Sequence, residues 1–178
     1  MADSPPRPIP PYVDIRRSKR RKRTVSAYRD GERVVVLMPD RLSAAEEARW
    51  VETMLARLEK QRSRSRVSDE KLLARAHELA CRHLPEVPEP ASVRWVSNQN
   101  RRWGSCTPAD RSIRLSTRLQ SMPAWVVDYV LVHELAHLVE PAHNANFWSL
   151  VHRYPKAERA EGYLEGVSAA ASLDFEDF

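Results

Sequence analysis

Cysteine is scarce in this chain. The 178 residues hold two, Cys81 and Cys106, with no C-x-x-C pair. That excludes an all-cysteine zinc ribbon, fits a reducing compartment and leaves both as simple buried thiols. Long apolar runs are missing as well. Charged residues interrupt every hydrophobic stretch short of the ~18 residues a membrane span needs. The opening Met1-Ala2-Asp3-Ser4-Pro5-Pro6 also lacks the apolar core of a secretory signal. A cytoplasmic protein with no membrane partner is therefore expected. No methionine follows Met122, and no internal repeat is visible.

What is present fits one soluble domain: 42% of residues are hydrophobic and 30% charged. A chain of this length hides roughly 70% of its unfolded surface, so it needs no structural metal merely to fold. A metal here would be a working one. The net charge of +5 is unevenly placed. The run from Arg16 to Arg23 holds 7 of the 29 Lys and Arg and no acid, leaving 22 basic against 24 acidic residues elsewhere. Three readings suit that run: a charged strand beside a hairpin, a nucleic-acid or phosphate contact, or a dock for an acidic partner. A solvated face is the default. If the run is a strand, its side chains alternate between faces and make no uniform patch.

Five prolines among the first eleven residues predict a Pro-rich, poorly ordered tail over residues 1–12. One α+β domain is expected over 13–170, then an acidic frayed end over 171–178. Residues 24–28 and 33–38 read as strands joined at Asp30-Gly31. Ser43 with Glu46 is a capping-box signature opening a helix over 44–60. A basic connector over 61–66 leads to a second helix over 69–84, capped by Ser68. Residues 92–97, 101–107 and 112–115 read as three more strands. Pro123 opens a third helix, which runs to Glu140 before Pro141 stops it. Apolar residues on more than one side make that helix central and buried. Short helices follow over 147–151 and 156–167.

Inside the central helix stands His133-Glu134-Leu135-Ala136-His137. Residues four apart share a helix face, so both imidazoles can reach one ion while Glu134 stands beside that face. Zinc accepts neutral imidazole nitrogen and, in catalytic sites, keeps three protein ligands and a water. An adjacent carboxylate can take that water's proton and deliver it to the leaving group. The alternative is a pair of hydrogen-bonded core histidines, but two histidines and a glutamate are costly to bury without purpose. His143 is the preferred third ligand, because the stop at Pro141 lets the chain turn back toward the metal. Glu158 or Glu161 is the rival, as in His-His-Glu sites, and His152 a weaker option; His77 and His83 read as surface residues. The metzincin pattern is excluded, since Glu140 stands where it needs glycine and no methionine follows for a Met-turn.

Arg102-Trp103-Gly104-Ser105-Cys106 upstream of that motif, followed by His143 and Phe147-Trp148, resembles the YgjP-like metallopeptidase family. Related zincins include SprT-like proteins, which add a C-terminal zinc ribbon that this chain lacks, and the minigluzincins. The likeness covers roughly residues 15 to 155. It implies a zincin-like α+β fold, with a small β-sheet packed against a central metal-bearing helix, and zinc held by His133, His137 and His143.

Residues 103–106 read as a strand whose Gly104 lets another backbone come close, as an edge strand receiving an extended peptide would need. Asn98 or Ser105 is a candidate donor to a developing oxyanion; Arg101, Arg102, Tyr129 and Tyr154 are further candidates. Asn98, Arg102, Gly104 and Ser105 form the expected substrate-binding set. The leading expectation is a zinc metallopeptidase in which Glu134 activates zinc-bound water to attack the carbonyl of a peptide or protein substrate. One alternative is hydrolysis of a phosphoanhydride in a nucleotide, with arginines binding the phosphates. Another is a nucleic-acid or partner-binding module built on residues 16–23. The sequence says nothing of oligomeric state.

Overall fold

The computed structural model describes residues 8–99 and 101–171. Most of the expected tail and all but the first residue of the expected acidic end lie outside them. The chain forms two compact units divided between Ser65 and Arg66. The α+β class expected from the sequence is present, with two small sheets.

In the N-terminal unit, β1 (Val13–Ser18) lies parallel to β3 (Arg33–Pro39), and β2 (Ser26–Asp30) lies antiparallel to it, in the order β1-β3-β2. The hairpin turns at Gly31, whose φ of 58° is a left-handed conformation that glycine enters without steric cost. Val34, Val35, Val36 and Met38 are all buried, so the central strand reads as a continuous apolar run. Val51 and Met54 pack on it. In the basic segment, Arg16 bonds Asp14 at 3.0 Å. Arg17 makes a two-pronged pair with buried Glu47 at 2.6 and 2.7 Å. Residues 19–20 then leave the strand in a turn.

The largest departure from expectation is α1 (Ala44–His83), one helix of 40 residues where two were expected. The segment read as a connector, 61–66, holds neither proline nor glycine. Its glutamine and arginines are good helix formers, and the ladder runs through them with their side chains exposed. Ser68 therefore lies inside the helix and caps nothing. The capping box at the true start is present: the Ser43 N–H donates to Glu46 Oε2 at 2.8 Å and the Glu46 N–H to Ser43 Oγ at 3.3 Å.

In the C-terminal unit, β4 (Ser92–Val96) lies parallel to β6 (Ser112–Ser116), and β5 (Gly104–Thr107) is antiparallel to β6 on its other side. β5 is an edge strand, three residues shorter than expected at its start. Three helices follow: α2 (Ala124–Ala136), α3 (Ala145–Val151) and α4 (Ala157–Ala170). α2 is buried on all sides, through Val126, Val130, Leu131, Val132, Leu135 and Ala136, among β5, β6, α3 and α4. Its one buried aspartate, Asp128, is held by Arg75 of α1 at 2.8 and 2.6 Å. Its regular turns end at Ala136, four residues before the expected Glu140. Beyond it the Ala136 carbonyl accepts from both Val139 and Glu140, and the chain tightens ahead of Pro141. Among the described residues no helix is long and apolar enough to cross a membrane.

Candidate active site

His133 and His137 lie one turn apart on α2, and His143 comes back on the loop that follows. The loop is short because Asn144 immediately caps α3, its side chain accepting from the Phe147 N–H at 3.0 Å. The three Nε2 atoms converge: His143 lies 3.1 Å from His137 and 3.2 Å from His133. All three ligand atoms lie within 4.8 Å of one another. On a tetrahedral zinc with Zn–N near 2.0–2.1 Å, neighbouring nitrogens stand about 3.3 Å apart, so this donor set fits that ion in type and spacing.

Protonation agrees with ligation. The Glu140 carbonyl can only accept, so His137 Nδ1, 3.0 Å away, donates to it and Nε2 is left bare toward the cluster. The early end of α2 is what brings that carbonyl back. Burial, with the neighbouring imidazoles, pushes the His133 pKa down to about 3, and burial also lowers that of His137. Both rings are therefore neutral at ordinary pH. Phe147, fully buried, supports the whole cluster: it stacks on His137 at 4.4 Å and meets His133 and His143 edge-on at 4.8 and 4.6 Å.

Glu134 is 5% exposed and lines the same cleft as the histidines. No described residue hydrogen-bonds its carboxyl group. Burial pushes its pKa up to about 8, with the positive charge of Arg102 pulling the other way. Its partner in space is Gly104: a Cβ there would stand 2.5 Å from Glu134 Oε1 and 2.8 Å from its Cγ. The glycine thus makes room for the glutamate side chain. The sequence suggested close approach at Gly104 but assigned it to a backbone.

The cleft encloses about 800 Å³. Arg102, Gly104 and Ser105 line one wall, and Ser105 Oγ accepts from Gln99 at 2.7 Å. Asn98 is exposed and does not line the cleft. Tyr129, one turn before His133, lines it and donates to Glu161 at 3.0 Å. Tyr154 instead donates to the Trp125 carbonyl at 3.2 Å, away from the cleft. Of the rival ligands, Glu161 lies in the cleft wall but outside the nitrogen cluster, engaged by Tyr129 and 3.5 Å from His152. Glu158 is exposed and outside the cleft lining.

The family described as YgjP-like, metallopeptidase domain, matches residues 65–166. The chain belongs to the YgjP-like metallopeptidase family. That match begins at the boundary between the two units and contains the three histidines, Glu134 and all of the cleft lining but Ser168, while β1 to β3 lie outside it. YgjP-like membership implies a metal, and three histidines able to hold one stand together in the matched region. The chain is also similar to the crystal structure of the metallopeptidase zymogen abylysin from Pyrococcus abyssi. The two are 22% identical with a TM-score of 0.43, over 60% of this chain and 98% of the other. No curated protein matches this chain.

Proposed function

We propose that this chain is a zinc-dependent peptidase, with His133, His137 and His143 as metal ligands and Glu134 as the group that handles protons. The observation that carries this reading is the convergence of three imidazole nitrogens, at 3.1 and 3.2 Å, in a cleft that also holds a buried carboxyl group with no hydrogen-bond partner among the described residues. When bound there, zinc supplies a Lewis acid that acidifies a water and polarises a carbonyl.

The chain's own residues do the rest. Glu134 accepts a proton from water on one oxygen and returns it to the departing amine. Gly104 keeps that side chain in place by leaving it room. The Glu140 carbonyl and the Phe147 ring fix the orientation of the histidines. The unpaired outer edge of β5 supports an extended peptide as substrate, with Arg102, Gly104 and Ser105 as its contacts. A phosphoanhydride is disfavoured: among the described residues lining the cleft Arg102 is the one Lys or Arg, against carboxyl groups at Glu134, Glu161 and Glu165.

The test is zinc content together with peptide hydrolysis. His133→Ala and His137→Ala lose the metal. Glu134→Gln keeps it and lowers turnover by at least about a hundredfold, the scale of a lost general base. Undiminished hydrolysis by Glu134→Gln, or full zinc content in both alanine variants, overturns the assignment.

A further inference from the structure

α4 presents one stripe to the cleft: Glu161, Leu164, Glu165 and Ser168, at the i, i+3, i+4, i+7 spacing of a single helix face. None of these residues belongs to the histidine cluster, and no second group of metal-binding type is found among the described residues. Two of them carry negative charge. Glu161 is held in position by the Tyr129 hydroxyl, which occupies one of its oxygens at 3.0 Å. Among the described residues no lysine or arginine pairs with Glu161 or Glu165. Leu164 lies between them, buried and aliphatic.

An independent observation marks this cleft as a ligand site. Glu134 is 5% exposed, lines the cleft and has no hydrogen-bond partner among the described residues, so its carboxyl group is open to a polar group entering the cleft. The α4 stripe lies across the same cleft. Its pattern of carboxylate, aliphatic side chain, carboxylate complements a long side chain with a hydrocarbon stem and a cationic head. An acidic side chain would meet like charge, and a purely apolar one would desolvate carboxylates without pairing them.

We infer that the cleft selects peptides carrying lysine or arginine, the stem lying along Leu164 and the charged head held between Glu161 and Glu165. This rests on the peptidase reading above and adds the substrate class to it. Glu161 and Glu165 are the specificity-determining residues, and Tyr129 positions the first of them.

The test uses the 178-residue chain carrying Glu134→Gln, loaded with zinc. It is titrated by fluorescence anisotropy with three labelled peptide libraries of equal length whose one fixed side chain is lysine, norleucine or glutamate. Lysine peptides bind about tenfold more tightly than norleucine peptides, glutamate peptides bind least, and the gap narrows as salt is raised. Adding Glu165→Gln, at an exposed position, reduces the preference about threefold, the scale of one partly screened pair. Adding Glu161→Gln as well abolishes it; that glutamine still offers Tyr129 an acceptor, and thermal melting followed by circular dichroism checks the fold. Equal affinity for lysine and norleucine peptides, absence of binding by all three libraries, or a preference that survives both substitutions overturns the inference. Failure of the peptidase reading looks different: the zinc-loaded wild-type chain then cleaves none of the libraries, however it ranks them in binding.

Discussion

In the N-terminal unit β1 runs parallel to β3 with β2 antiparallel at the far edge, and in the C-terminal unit β4, β6 and β5 repeat that wiring strand for strand. The registers even begin alike, Ser26 opposite Leu37 in one and Gly104 opposite Leu115 in the other. Charge separates them: residues 1–65 hold 16 Lys and Arg against 9 Asp and Glu, residues 66–178 hold 13 against 15. The antiparallel edge strand separates them further. β2 carries exposed side chains such as Tyr28, whereas β5 is half buried and meets α2 at Glu134. One wiring therefore occurs twice, and in the second copy the edge strand gives up a side chain to admit a carboxylate.

Substitutions at matched places probe this contrast. The largest effect is expected at Gly104→Ala, whose new Cβ would stand 2.5 Å from Glu134 Oε1 and push the carboxyl group aside. Hydrolysis falls at least about a hundredfold, as misplacement of a reacting group does, while zinc content stays near wild type by metal analysis. Ser26→Ala, at the matching register position, leaves hydrolysis unchanged. Unaltered hydrolysis in Gly104→Ala would make the two edge strands equivalent after all. Next comes Phe147→Ala, which opens a cavity under three imidazoles. It costs about 3–5 kcal/mol in denaturant unfolding and also weakens zinc retention during chelator competition. Met38→Ala, fully buried beside β1 and β2, costs about 2–5 kcal/mol without altering zinc stoichiometry. The smallest effect belongs to Gly31→Ala. Nothing crowds a Cβ there, so the cost is that of a left-handed backbone, about 1 kcal/mol, measured by thermal melting.

The readable parts of this molecule were the local ones. His133, Glu134 and His137 fall at helical spacing in an apolar run, and Pro141 stops the helix so that the chain can turn back and deliver His143. The Asp30-Gly31 turn and the Ser43–Glu46 cap also follow from neighbours in sequence. What escaped depends on distance along the chain or on weak local signals. The pairing of Gly104 with Glu134 joins residues 30 apart, and nothing near either names the other. Glu161 looked like a rival ligand because its residue type was right; the Tyr129 hydrogen bond that engages it is a tertiary contact. The two-helix reading of α1 gave serines and clustered arginines the weight that only proline or glycine carries as a helix breaker. The repeated sheet wiring is invisible in sequence because the two sets of strands share almost no residues.

Trp148 stacks on His143 at 5.8 Å with its plane only 26° away, and His152 stacks on it in turn at 5.7 Å. An indole stacked this near an imidazole responds optically to the state of that ring. Its emission is a built-in gauge of the histidine triad, readable in a cuvette with neither substrate nor dye, once the difference between Trp148→Phe and the parent chain has isolated it from the other four tryptophans.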